Sequence, residues 1–248
     1  MTQPPAPTEE QFHSSLPGSY ANAFSPEERA EHFRWVRDRA AGEVRARVAS
    51  QPTPGLLVLQ VAADDRPSLI ADWTAAFLAA RLNLQAALIF TRTRPFQCAE
   101  AFDFFWVSAP PEHLSERAGQ WLQRVASGEG APEPVGAGVL VAPSRDGSGS
   151  PGPDPRVEVR RLAAFPGRIE VAVQVLDQEG LARAVASWAK ARGLNVLAAN
   201  LQTLPGGYVD DRMTLEGGSE RRWSDIELEE LRTSLLEVIR GQEGRQQN

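Results

Sequence analysis

Asp65-Arg66-Pro67-Ser68-Leu69 and, 112 residues later, Asp177-Gln178-Glu179-Gly180-Leu181 open two stretches of chain that read alike. Each is an acidic turn that feeds an apolar helical face and reaches an Asn eighteen residues beyond its Asp. At the same offset Leu82-Asn83-Leu84 meets Leu194-Asn195-Val196, Ala86-Ala87 meets Ala198-Ala199, and Thr91 meets Thr203. With a hairpin four residues shorter in the second copy, Asp103-Phe104-Phe105-Trp106-Val107 meets Asp211-Arg212-Met213-Thr214-Leu215. Self-similarity at a fixed offset means that one supersecondary unit is used twice.

The elements around these turns follow from periodicity. In the first copy Leu56 to Val61 is an apolar strand. Leu69, Ile70, Trp73, Ala76, Phe77 and Ala80 form one helical face. Residues 82–90 and 101–107 read as strands, and 111–127 as a second helix that Gly128 closes. In the second copy residues 156–163 and 168–176 read as strands about a Phe165-Pro166-Gly167 turn. Leu181, Val185, Trp188 and Ala189 mark a helix, and strands 195–203 and 208–215 follow. Ser224 and Glu227 make a capping box before a last helix. Trp73, Trp106, Trp121 and Trp188 all fall on inward faces.

Each copy therefore reads strand, helix, strand, strand, helix, with a last strand expected. This order predicts an α+β protein of two ferredoxin-like βαββαβ domains, with helices on one face of each sheet. The domains span 55–128 and 156–241, and a Gly-, Pro- and Ser-rich linker at 129–155 joins them. Val135 to Val141 is a further strand candidate inside that linker. Residues 1–23 read as a disordered tail. Residues 24–50 read as a leading helix, started by the Ser25-Pro26-Glu27-Glu28 box and carrying Phe33, Val36, Ala40, Val44 and Val48 on one side. Unpaired sheet edges aggregate, so the two domains are expected to pair edge to edge, within one chain or as a homodimer.

The chain has 248 residues, 42% of them hydrophobic, and a formal net charge of −6, which argues against nucleic-acid binding. Cys98 is the one cysteine, so no intramolecular disulfide forms. No apolar run approaches the length of a membrane span, and the Pro- and Gln-rich start lacks the apolar core of a secretory signal. A cytoplasmic protein is the expectation. No Walker loop, G-x-S-x-G elbow or zinc cluster occurs, so catalysis, a metal and a cofactor are not expected.

The Asp-Arg-Pro-x-Leu turn and the Leu82-Asn83-Leu84 segment with Ala87 resemble ACT domains. Phe24-Ser25-Pro26-Glu27-Glu28 with His32, Asp65-Arg66-Pro67, Leu69, Ala71, Asn83, Ile89-Phe90-Thr91 and Asp103-Phe104 with Val107 narrow the likeness. Together they resemble the C-terminal regulatory region of the bacterial PII uridylyltransferase/uridylyl-removing enzyme family. The likeness covers about residues 24 to 127 well and 157 to 240 more weakly. It implies tandem ACT-type domains that sense glutamine, and a protein partner in nitrogen or amino-acid metabolism. The family's nucleotidyltransferase Gly-Ser motif and its His-Asp hydrolase motif are absent. Ser68 stands where the family has Gly, and Gln178-Glu179 replaces the Arg-Pro pair while Gly180 is kept.

A turn that feeds a helix N-terminus offers free backbone N–H groups and a positive dipole end, which suit an amino acid's carboxylate. Asp65 and Asp177 would then pair with its ammonium group, or else cap their helices. The candidate ligand residues are Asp177, Gln178, Glu179, Gly180, Leu181 and Asn195 in the second copy. In the first they are Asp65, Arg66, Pro67, Ser68 and Asn83. Asn83 and Asn195 either reach a ligand across a domain pair or take a left-handed turn. The second turn, with Asn195 near it, is the expected binding site. The other reading is a ligand-free interaction module that dimerises or docks on an enzyme.

Overall fold

The computed structural model describes residues 7–79, 82–93, 98–108, 154–178, 180–218 and 220–245. The helix expected at 111–127, the strand at 135–141 and most of the linker lie outside them. The described elements are α1 (Glu9–Ser14), α2 (Gly18–Ala23), α3 (Pro26–Val36), β1 (Arg45–Thr53), β2 (Leu56–Asp64), α4 (Leu69–Ala79), β3 (Asn83–Arg92) and β4 (Glu100–Ser108). After the linker come β5 (Arg156–Arg161), β6 (Arg168–Leu176), α5 (Leu181–Ala191), β7 (Asn195–Leu204), β8 (Tyr208–Glu216) and α6 (Asp225–Arg245).

The fold is α+β, and its strands form one eight-stranded sheet in the order β1-β2-β4-β3-β7-β8-β6-β5. Every pairing is antiparallel. The order within each half is the same, so the repeat in sequence is a repeat in topology. The halves join where β3 pairs with β7, through Ala86 with Gln202, Leu88 with Asn200 and Phe90 with Ala198. Under the 112-residue offset Ala86 becomes Ala198 and Phe90 becomes Gln202. Each outer pair therefore maps onto the other, and an approximate two-fold axis passes between Leu88 and Asn200.

Two expectations about the elements change. In each half the flanking strand comes first, as β1 and β5, beside β2 and β6. In the second half α6 then runs to Arg245, and no later strand follows among the described residues. The position beside β6 is already filled by β5. The leading helix over 24–50 is also corrected: α3 stops at Val36 and β1 begins at Arg45. Ser25 does cap it in a box with Glu28. Gly42 takes φ 76, which breaks the helical path. Val44, Ala46 and Val48 fit a period of two as well as four, and Val44 and Ala46 pack on the sheet core.

The two faces of the sheet differ. On one, α4, α5 and α6 bury Leu59, Val61, Trp73, Phe77 and Phe105 in the first half and Val171, Val173, Trp188 and Leu235 in the second. Residues 1–23 were expected to be disordered, but α1, α2 and α3 lie on the other face of the first half. There Phe12, Leu16, Tyr20 and Val36 pack against Phe90, Phe102 and Phe104. Trp106, expected inward, belongs to this second cluster and is half-buried. Under the repeat, Phe90, Phe102, Phe104 and Trp106 become Gln202, Asp210, Arg212 and Thr214. The aromatic face is covered, and its polar counterpart in the second half carries exposed Asn200 and Arg212.

Arg39 holds this N-terminal cover to the sheet. Its buried guanidinium donates to Asp64 at 2.6 Å, to Glu100 and to the Glu43 carbonyl. The Gly42 N–H also reaches Asp64, at 2.7 Å. Inside the cover, Tyr20 Oη and His32 Nδ1 share a hydrogen bond of 2.9 Å among the rings of Phe24, Phe102 and Phe104.

Candidate functional site at the two acidic turns

Both turns are built the same way. The Asp65 N–H donates to the Ala99 carbonyl at 2.7 Å, and the Asp177 N–H to Gly207 at 2.6 Å, so each turn is tied to the hairpin beside it. Thr91 Oγ1 donates to Asp65 Oδ2, and Thr203 Oγ1 to Asp177 Oδ2, each at 3.3 Å. The residue entering each helix is left-handed, Ser68 at φ 71 and Gly180 at φ 81. The Asp72 N–H then reaches the Ser68 carbonyl at 3.0 Å, and the Ala184 N–H reaches Gly180 at 2.9 Å.

Ser68 is the only non-glycine with positive φ among the described residues. An L side chain in this conformation costs about 1–2 kcal/mol. Glycine loses part of that gain as extra freedom in the unfolded chain. Ser68→Gly is therefore expected to raise stability by about 1 kcal/mol, and Gly180→Ala to lower it by a similar amount. Urea unfolding of both variants checks this, and a destabilised Ser68→Gly would show that the serine hydroxyl outweighs the strain.

Beneath each turn lies a second carboxylate that the sequence shows only through the repeat. Asp103 Oδ1 accepts the Phe90 N–H, and Asp211 Oδ1 accepts the Gln202 N–H, each at 3.1 Å. The acceptors align in the repeat, and so do the donors. Both aspartates are buried. Burial pushes Asp103 well above the usual carboxylate range and Asp211 up to about 7. Asp65 faces Asp103 electrostatically, and Asp177 faces Asp211. Burial also raises Asp65, while hydrogen bonds from Asn195 and Thr91 pull it back. The surrounding protein raises Asp177 as well, though the residue itself is exposed, with Thr203 and the Gln178 N–H pulling down.

The predicted residues regroup in one respect. Asn195 was expected near Asp177, but its Nδ2 donates to Asp65 Oδ2 at 3.1 Å, across the seam between the halves. The antiparallel β3–β7 pairing causes this, because it sets the start of β7 beside the first turn rather than its own. Asn83 is the counterpart of Asn195 under the two-fold relation, but no hydrogen bond joins it to Asp177 among the described residues. Neither Asn takes a left-handed turn: both begin strands, and Gly193 takes the positive φ before β7. The cap role also fails for Asp177, since Gly180 is the N-cap of α5 and no side chain caps it.

The other candidates fall as follows. Arg66 forms an ion pair with Asp72 at 2.6 Å, and Pro67 lends its carbonyl to the Ser68 hydroxyl. Leu69 and Leu181 are buried and seat the helix starts. Gln178 Nε2 is buried with no hydrogen-bond partner among the described residues. Glu179 lies outside the described residues. Among them, no group of three or more His, Cys, Asp or Glu is placed to hold a metal, and no helix is long and apolar enough to cross a membrane.

No family model matches the chain, and no curated protein matches it. A solved structure of an unknown protein from Galdieria sulphuraria is similar over 80% of this chain and 94% of that one, at 17% identity. Its TM-score is 0.25.

Proposed function

We propose that the chain is a regulatory protein without catalysis of its own, built from two ACT-type, ferredoxin-like units. In this reading it senses a small amino acid and passes the result to a partner in nitrogen or amino-acid metabolism. Glutamine is the ligand to test first, on the likeness to the PII uridylyltransferase regulatory region. The observation that carries the reading is the second turn. There the exposed Asp177, a left-handed glycine and the start of α5, which no side chain caps, lie together. An amino acid needs an acceptor for its ammonium group and donors for its carboxylate, and this turn offers both.

A second reading is favoured by one specific observation. Asn195 already satisfies Asp65, so the first turn acts as a staple between the halves. A chain using both turns in this way would be a ligand-free interaction module. The experiment is calorimetric titration of Asp177→Ala alongside the wild type. Loss of a charge-assisted contact of about 1.5–3 kcal/mol predicts affinity roughly ten- to a hundredfold lower. Asp65→Ala should change affinity less. Unchanged affinity in a folded Asp177→Ala protein rejects the second-turn site.

A further inference from the structure

We infer that Asn195 is an internal plug, so that the two equivalent turns supply one ligand site per chain rather than two. This rests on the sensing reading above and adds its stoichiometry and the chemistry at Asp177. The two turns share their Asp, Thr, buried second Asp and left-handed entry residue, yet they differ in who satisfies the outer carboxylate. Asp65 Oδ2 accepts from both Thr91 and Asn195 Nδ2, and the residue is half-buried. Asp177 Oδ2 accepts from Thr203, and the residue is exposed. Asn83, the two-fold counterpart of Asn195, is exposed and makes no side-chain hydrogen bond among the described residues.

The cause lies in what surrounds each Asn. Asn195 pairs in the sheet with Glu216, which Arg168 holds at 2.9 Å. Asn83 pairs with Ser108, whose hydroxyl faces the Asn83 carbonyl and Gln85. Glu216 also lies close enough to Asp65 to raise its pKa. A negative neighbour on that side favours a neutral N–H donor bridging to Asp65. At the second turn Ser108 replaces the Glu, and Asp177 is exposed and accepts no carboxamide N–H among the described residues. The carboxamide N–H on Asp65 marks the place that a ligand's ammonium N–H takes on Asp177.

The test uses the full chain in two arms. Without ligand, carboxyl-carbon NMR follows the titration of Asp65 and Asp177. Asn195→Ala removes a donor that lowers the Asp65 pKa, so Asp65 shifts upward and Asp177 does not move; Asn83→Ala moves neither. Asn195→Val, suited to a strand start, repeats the measurement should the alanine variant not fold. An unmoved Asp65 overturns the plug. In the second arm the twenty protein amino acids, glutamine first, are titrated with calorimetry and amide NMR. The wild type takes one equivalent, with shifts at 177–183 and 83. Asn195→Ala gains a second equivalent, with shifts at 65–71. Two equivalents in the wild type overturn the plug and leave the sensing reading standing. No binding to either protein overturns both.

Discussion

Replacing Arg39 by Met is expected to lower stability by about 3–5 kcal/mol, the cost of breaking a buried ion pair from one side. The Arg39 side chain has no exposed surface, and neither has that of Glu100. Arg92 also pairs with Glu100, so that carboxylate keeps a cation when Arg39 is removed. Asp64, 30% exposed, keeps the Gly42 N–H. The penalty falls on Glu100 and Asp64, which each lose a charged donor, and on the Glu43 carbonyl, which loses its donor too. Methionine keeps the apolar stem, so the loss reports the charge and its hydrogen bonds. Urea unfolding gives its size. Hydrogen exchange at Phe12 and Tyr20 gives its place, because Arg39 joins the N-terminal cover to β2 and β4. A loss below about 1 kcal/mol would mean that the cover is held by its aromatic contacts alone.

The second large effect is acid weakening of the same cover. Burial lowers His32 from 6.5 to about 4, with the Arg47 charge acting in the same direction. The folded state therefore binds this proton less readily than the unfolded chain does. Stability from the neutral imidazole is fully present above pH 6.5 and is lost as pH falls through 6.5 toward 4. The loss by pH 4 amounts to about 3 kcal/mol. Asp211 works oppositely: its folded pKa of about 7 exceeds 3.8, so its contribution is present at low pH and lost as pH rises through 7. The raised Asp65, Asp103 and Asp177 act in the same sense as Asp211. A His32→Gln variant separates them, since the amide oxygen keeps an acceptor for the Tyr20 hydroxyl and does not titrate. The stability difference between wild type and His32→Gln should be constant above pH 6.5 and shift by about 3 kcal/mol against the wild type by pH 4. A difference independent of pH would place the His32 ring in water.

The repeat made most of the strand and helix order legible, because the 112-residue offset that aligns Asp65 with Asp177 also aligns α4 with α5 and β3 with β7. It also held the pairing of Thr91 with Thr203 and of Asp103 with Asp211, the residues that furnish both turns. The crossing of Asn195 to Asp65 was not legible, since it depends on which strand edges meet. β1 reads as helix in the sequence because the four-residue spacing of Val44 and Val48 satisfies both periods. α3 ends at Val36, before Gly42, whose left-handed φ keeps the helix from resuming ahead of β1. The N-terminal cover hid in a Pro- and Gln-rich stretch, where Phe12, Leu16 and Tyr20 nonetheless recur every four residues. A clearer signal lay in the aromatic residues Phe90, Phe102, Phe104 and Trp106 of the first copy. Their polar counterparts in the second copy mean that something must cover one half and not the other.

In the proposed reading a small amino acid is sensed at the second turn. Calorimetric titration of the intact wild-type chain with the twenty protein amino acids, beginning with glutamine, tests it most directly. Saturable heat with at least one of them, at one equivalent per chain, is expected. Absence of binding by all twenty, in a protein shown to be folded, would contradict it and leave the ligand-free interaction module.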